Sequence, residues 1–159
     1  CQEYSKAIDV WSVGCIFAEL LGSKPLFPGD DYIHQLRIIT DILGTPSDED
    51  LDFVTSKRAR AFMKKQAYKK KVPFSTLYKS ANPQALDLLE KMLQFHPKKR
   101  ITIEQALKHP YMESLHNEED EPAADKPFDF DFENHTMDKA MLQKLIFEEV
   151  GRFHPEILK

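Results

Sequence analysis

Ile8-Asp9-Val10-Trp11-Ser12-Val13-Gly14-Cys15-Ile16-Phe17-Ala18-Glu19-Leu20-Leu21 has an acid at its start and apolar residues on every side. A helix that is apolar all round is buried on all faces. At this length it also falls short of the ~20 residues that a membrane span needs. The stretch therefore predicts the central post of a helical domain. It begins only a few residues into the chain, so the sequence reads as one that enters a fold partway, with Cys1 a cut end or the start of an ordered segment.

The 159 residues fall within the size of one domain. A net charge of −4 is too small to imply a nucleic-acid or membrane partner by itself. Two cysteines, Cys1 and Cys15, cannot make a disulfide framework. Cys15 sits in the apolar run, where a reduced thiol behaves as a small hydrophobe, and this points to a reducing compartment. No signal peptide opens the chain and no lipidation motif closes it. The six histidines show no metal-ligand spacing.

Outward from the first helix, Gly22 is the expected stop, and Lys24-Pro25-Leu26-Phe27-Pro28-Gly29-Asp30-Asp31 is a proline-braced loop. Ile33, Leu36, Ile39 and Leu43 then mark an amphipathic helix, capped by Asp30 or Asp31 and ended by Gly44. Thr45-Pro46 turns the chain, and Ser47 is an expected N-cap before the acidic Asp48-Glu49-Asp50. A basic block follows: Lys57, Arg58, Arg60, Lys64, Lys65, Lys69, Lys70 and Lys71, with no acid from Phe53 to Ser75. Its buried side is predicted as Ala59, Phe62 and Met63. A solvated helix face explains the block better than a nucleic-acid or lipid site, because no aromatics interleave for base stacking.

Asn82-Pro83 opens another helix, with Leu86, Leu89 and Leu93 on its inner face. The chain turns at His96-Pro97, and Thr102-Ile103-Glu104-Gln105 is a capping box for a short helix that ends before Pro110. From Glu113 to His135, nine acids meet one base, and Phe128, Phe130 and Phe132 alternate. That segment is long for an ordinary connection; the expectation is that it wraps over a surface, pinned by its phenylalanines. Thr136 is then expected to cap a final helix carrying Met137, Met141, Leu142, Leu145, Ile146 and Val150. No strand is predicted.

Four separated stretches resemble the mitogen-activated protein kinases. They are Asp9-Val10-Trp11-Ser12-Val13-Gly14-Cys15; Leu26-Phe27-Pro28-Gly29 with Ile42-Leu43-Gly44-Thr45-Pro46; Ala81 to Leu93 continuing into His96-Pro97-Lys98-Lys99-Arg100-Ile101-Thr102; and His109-Pro110-Tyr111 with the acidic stretch through Asp120-Glu121-Pro122. The insert from Pro46 to Ser80 narrows the match to the group holding cyclin-dependent and mitogen-activated kinases. The Asp-Glu-Pro, the phenylalanine-rich tail and Leu145-Ile146-Phe147-Glu148-Glu149 favour the extracellular-signal-regulated branch. The fold this implies is mainly α: the C-terminal, large-lobe portion of the protein-kinase fold plus a C-terminal extension. Residues 1–112 would be lobe, with the insert at about 46–80; 113–135 would be the acidic docking and extension segment, and 136–159 the closing helix and tail.

The Gly-rich loop, strand lysine, His-Arg-Asp loop and Asp-Phe-Gly site on which kinases rely are not in this sequence. The resemblance therefore assigns no catalytic residue here, and it puts ATP and Mg²⁺ on residues outside this chain. Asp9 reads locally as an N-cap; by resemblance it also holds the catalytic loop. Arg100 would pair with the glutamate of an upstream Ala-Pro-Glu. Losing a partner from a buried pair costs about 3–5 kcal/mol, so the fragment is expected to be poorly folded and inactive without its upstream half.

Asn117, Glu118, Glu119, Asp120 and Glu121 would form an acidic docking patch for Lys/Arg-rich motifs of an activating kinase, phosphatases and substrates. Asn117 departs from the acid that the family has there. Tyr32, Ile33, Leu36 and Phe62 would line a hydrophobic docking pocket for Phe-x-Phe motifs, with Phe62 replacing a tyrosine. The implied function is a serine/threonine kinase acting on Ser/Thr-Pro sites in cytoplasm and nucleus, with no nucleic-acid or membrane partner. Its rivals are a non-catalytic docking or scaffold module on a truncated kinase fold, and a cyclin-dependent-type kinase.

Overall fold

The computed structural model describes residues 5–134 and 136–158. These fall into two compact units, one up to His116 and one from Asn117 on. Every regular element among the described residues is an α- or 3₁₀-helix, with no strand. No helix is long and apolar enough to cross a membrane.

In the first unit, α1 spans Lys6–Gly22. Its N-cap is Ser5, so Asp9 lies inside the first turn and does not cap the helix. Gly22 is the last helical residue, and Ser23 takes the left-handed conformation (φ 57°), donating its N–H to the Glu19 carbonyl at 2.7 Å. Helix α5 (Pro83–Met92) crosses α1 closely because Gly14 has no side chain. A Cβ there would lie 2.9 Å from Leu93 Cδ2 and 3.0 Å from Met92 Cβ.

Two apolar clusters flank this crossing. Val10, Leu88, Met92 and Ala106 form one, and Ala18, Phe74, Leu89 and Leu93 the other. Leu86, expected on the inner face of α5, is only half-buried at the edge of the second cluster, and Ala85 and Leu88 are buried instead.

The expectation that α1 is buried on all faces is not met. Val13, Ile16 and Leu20 are 51%, 60% and 76% exposed. Together with Ile103, Leu107 and Met112 they line an open groove of about 370 Å³ with almost no polar surface. The elements of this unit cover only one side of a helix whose sequence is apolar on both.

Helix α2 (Tyr32–Leu43) follows its pattern closely. Asp31 caps it, accepting the N–H groups of Ile33 and His34 at 2.8 Å each. Gly44 ends it at φ 85°, where a Cβ would also meet the Lys71 nitrogen at 2.9 Å, so glycine is needed on two counts. The insert that follows is closed at its stem. Thr45 N–H donates to the Lys69 carbonyl (3.0 Å), Lys69 N–H to Thr45 Oγ1 (2.8 Å) and Val72 N–H to the Ile42 carbonyl (2.8 Å).

Ser47 accepts the Asp50 N–H at 3.1 Å but heads an isolated turn, not a helix. Within the insert, α3 (Lys57–Lys64) buries Met63 and half-buries Phe62; Ala59 is exposed, contrary to expectation. A single turn, α4 (Phe74–Leu77), precedes α5, which Asn82 caps with Pro83 at its first position. The capping box of α6 (Ile103–Leu107) forms in full: Thr102 N–H donates to Gln105 Oε1 at 3.0 Å and Gln105 N–H to Thr102 Oγ1 at 3.2 Å.

In the second unit, Phe128, Phe130 and Phe132 pack on one another with ring centroids 4.8–6.3 Å apart. They stay 71%, 58% and 38% exposed. They form a local cluster where the sequence suggested pins against a surface. Helix α7 spans Lys139–Phe153 and is capped by Asp138, whose Oδ1 accepts the Met141 N–H at 2.8 Å. Thr136 therefore does not cap it, and Met137 precedes it. Asp138 wins because it sits directly before the first helical residue, where a carboxylate reaches the third N–H and meets the positive end of the helix dipole. His135 lies outside the described residues.

Candidate functional site

Arg100 is the most heavily built residue of the first unit. It follows a 3₁₀ turn, Pro97–Lys99, that points its side chain back at α1. Its Nε donates to the Gln94 carbonyl (2.7 Å), one terminal nitrogen to the Ala7 carbonyl (2.7 Å) and the other to the Phe95 carbonyl (3.1 Å). The guanidinium lies 4.8 Å from the centre of the Trp11 ring, which itself stacks on Phe27 at 5.6 Å. Burial pulls the Arg100 pKa down, and the nearby Cys15 sulfur pulls it back up. Cys15 shows the mirror image: burial raises its thiol pKa, and Arg100 lowers it.

Among the described residues, Arg100 has no carboxylate partner. Three carbonyls and a ring face satisfy part of its fork, and two of its five N–H donors take no part in these bonds. The sequence treated this arginine as half of a broken pair; the carbonyls offset much of that loss.

Asp9 stands one turn into α1 on the rim of the apolar groove. It is exposed and makes no hydrogen bond or ion pair among the described residues. Asp9 and Arg100 thus converge on the start of α1, one through its own position and the other through the Ala7 carbonyl.

Two buried histidines, absent from the sequence reading as functional positions, lock this region. His96 Nδ1 accepts the Lys98 N–H at 3.0 Å, which leaves Nε2 to donate to Asp52 Oδ1 at 2.7 Å. His109 repeats the device: Nδ1 accepts the Tyr111 N–H at 3.2 Å, and Nε2 reaches Asp87 Oδ2 at 2.8 Å. The signal was present in the two His-Pro dipeptides. Proline biases the residue before it to extended backbone, which sets the imidazole over the N–H two positions on.

Lys99 adds ion pairs to Glu49 (3.0 Å) and Asp50 (2.8 Å). Burial opposes ionisation of Asp50, but hydrogen bonds from Lys99 and Ser47 outweigh it and hold its pKa below the usual carboxylate value. The opening turn of the insert is thereby fastened to the turn that presents Arg100.

The acidic segment forms its own small element. Glu118–Asp120 is a 3₁₀ turn capped by Asn117, whose Oδ1 accepts the Glu119 N–H at 3.2 Å and whose Nδ2 donates to Asp120 Oδ2 at 2.7 Å. Asn117, Glu118, Glu119 and Asp120 are exposed, and Glu121 is half-buried, accepting the Asn117 N–H at 3.3 Å. The asparagine that breaks the family pattern is therefore the cap of the turn. Tyr32, Ile33 and Leu36 share α2, with Tyr32 exposed and the other two half-buried; half-buried Phe62 is on α3. None of the four lines a described cavity.

No group of three His, Cys, Asp or Glu among the described residues could hold a metal ion, and no Gly-rich turn offers backbone donors to a nucleotide. The residues present do not fit ATP or Mg²⁺.

A protein kinase domain model matches residues 1–112. Over 155 residues the chain is 55% identical to a mitogen-activated protein kinase of Fusarium vanettenii, covering 95% of this chain and 44% of that protein. It is 49% identical to extracellular signal-regulated kinase 1 of Dictyostelium discoideum, covering 98% and 29%. It is 47% identical to mitogen-activated protein kinase 5 of Oryza sativa subsp. indica, covering 98% and 42%. The chain thus spans less than half the length of these curated relatives. The Asp9–Cys15 and Arg100 neighbourhoods, which lie within the matched region, and the relatives' agreement along almost the whole chain lead to one conclusion: the chain belongs to the protein kinase domain family, on its mitogen-activated branch.

Proposed function

We propose that the full-length protein is a serine/threonine kinase that transfers phosphate from ATP, with Mg²⁺, to Ser/Thr-Pro sites in cytoplasm and nucleus, and that this chain supplies support and docking. The observation that carries the reading is the convergence of Asp9 and Arg100 on the start of α1, beside an apolar groove that is open in this chain. Asp9 presents an unengaged carboxylate where a loop's backbone N–H groups could be gathered. Arg100 keeps two donors for a carboxylate from elsewhere in the protein. The exposed acidic turn from Asn117 to Glu121 suits Lys/Arg-rich linear motifs of an activating kinase, phosphatases and substrates. Tyr32, Ile33, Leu36 and Phe62 offer aromatic and aliphatic anchors for a second, apolar motif.

The test uses activated full-length protein and paired peptides differing only in Ser-Pro versus Ser-Ala. Phosphate incorporation confined to the Ser-Pro peptide is expected. Asp9→Asn should lower kcat by about tenfold or more, while Asn117→Asp should leave kcat unchanged and tighten a basic docking peptide. Absence of any phosphate transfer by the activated protein sinks the proposal.

A further inference from the structure

The end of α5, the Pro97–Lys99 turn and the end of α6 border a second cavity of about 510 Å³, which shares no lining residue with the apolar groove. Lys91, Lys98, Lys99, Arg100 and Lys108 all line it, and among the described residues no acid does. The acids that meet these cations stand outside the lining. Asp87 holds Lys91 at 2.6 Å, and Glu49 and Asp50 hold Lys99 at 3.0 and 2.8 Å. Arg100 is fixed by its three carbonyls. Lys98 is exposed, and its ammonium group takes no partner among the described residues. A loose surface lysine has to be ordered when it binds; Lys91 and Lys99 are held in place before any ligand arrives. The unpaired cations of α3 offer a contrast: Lys57, Arg58 and Lys65 are exposed but line none of the described cavities.

We propose that this cavity binds a small, multiply phosphorylated molecule. Each lysine ammonium is a point charge with three donors, which suits the rounded array of oxygens on a phosphate group. A carboxylate ligand would favour a flat guanidinium fork, and the fork of Arg100 is turned to carbonyls, so Arg100 contributes charge and not a contact. The volume falls within the range of small-molecule sites. A concave wall of one sign, backed by protein of low dielectric, focuses its field on whatever enters. The cations are gathered into one hollow and do not run in the stripe that nucleic acid requires. The proposal uses neither Asp9 nor the spare donors of Arg100, and it does not depend on the kinase reading.

The test is isothermal titration calorimetry of the full-length protein at about 0.1 M salt, with inositol hexakisphosphate, pyrophosphate and inorganic phosphate as probes. Saturable one-site binding is expected, tightest for inositol hexakisphosphate and weakest for inorganic phosphate. Lys98→Gln with Lys108→Gln should weaken inositol hexakisphosphate by about tenfold or more, since each removes a charged donor. Lys57→Gln with Lys65→Gln removes the same charge from α3 and should change the affinity by no more than about twofold at this screening. Gln105→Glu gives a second variant: it keeps the capping-box acceptor for the Thr102 N–H and sets a negative charge in the lining, so it should also weaken binding. Circular dichroism melting checks that each variant folds. No saturable binding of inositol hexakisphosphate overturns the proposal. So does an equal loss in the cavity and α3 variants, binding untouched by Gln105→Glu, or binding confined to a phosphorylated peptide or to phosphoinositide vesicles.

Discussion

Arg100 shows how much one side chain holds. Its planar fork reaches three carbonyls in different directions while its face lies on Trp11. A lysine keeps the charge but loses the fork and the stacking geometry. Arg100→Lys is therefore expected to destabilise the full-length protein by about 2 kcal/mol, read as a shift in denaturation midpoint at unchanged slope.

Asp87 carries a pH signature at the same scale. Hydrogen bonds from Lys91, and then from His109, hold its pKa below the ordinary carboxylate value. A depressed folded-state pKa gives stability that is present above the unfolded pKa, near 3.9, and is lost as pH falls through the folded value. Because Asp87 is largely solvent-exposed, its direct share is on the order of 0.5 kcal/mol. Asp87→Ala should flatten the acid limb of a melting-temperature profile below pH ~4. It should also cost about 1–3 kcal/mol at neutral pH, because buried His109 is left with an unsatisfied Nε2–H; Asp87→Asn, which keeps an acceptor, should cost less.

Among the elements, sequence and structure part where side chains compete for the same backbone groups. The caps of α5 and α6 are legible because Asn82 and Thr102 each open a clear periodicity, whereas at α2 the sequence leaves Asp30 and Asp31 open and the structure chooses Asp31. At α7 both Thr136 and Asp138 are capping types, and only the geometry chooses Asp138. Asp138→Ala is expected to cost about 1 kcal/mol and Thr136→Ala almost nothing, with hydrogen exchange of the first-turn amides of α7 as the readout.

Ala59 is exposed against expectation because a two-turn helix in a basic block has too few apolar positions to fix its inner face, which Phe62 and Met63 fill. The His-Pro locks were illegible for another reason. Their partners, Asp52 and Asp87, lie 44 and 22 residues away in sequence, beyond the reach of any local pattern. Asp9 and Arg100 are legible in the sequence only through a family likeness. What the likeness did not supply is the set of carbonyls that hold Arg100 in place.

At the scale of the whole molecule, the groove beside α1 is the main departure. The sequence of that helix is written for burial on all sides, and only one side is covered by the elements of its unit. If the rest of a kinase domain covers the other side, replacing Val13, Ile16 and Leu20 with serine has opposite effects in two settings. In this chain alone each of these exposed side chains should change stability by no more than about 0.5 kcal/mol, and the triple substitution should lower binding of a hydrophobic dye. In the full-length protein it should cost several kcal/mol, since each buried aliphatic side chain is worth about 1.5–3. A small cost in both settings would mean that the groove stays open in the complete protein.

The closed stem of the insert has an evolutionary consequence. Its two segments, 42–45 and 69–72, are stitched together by two backbone hydrogen bonds and a third to the Thr45 hydroxyl, all made within the stem itself. Lengthening a loop whose ends are already held costs only ~0.6 kcal/mol per doubling. The lobe can therefore accept new sequence at this point as a tree accepts a graft: the join is built by the host, and whatever is carried beyond it is free to diversify.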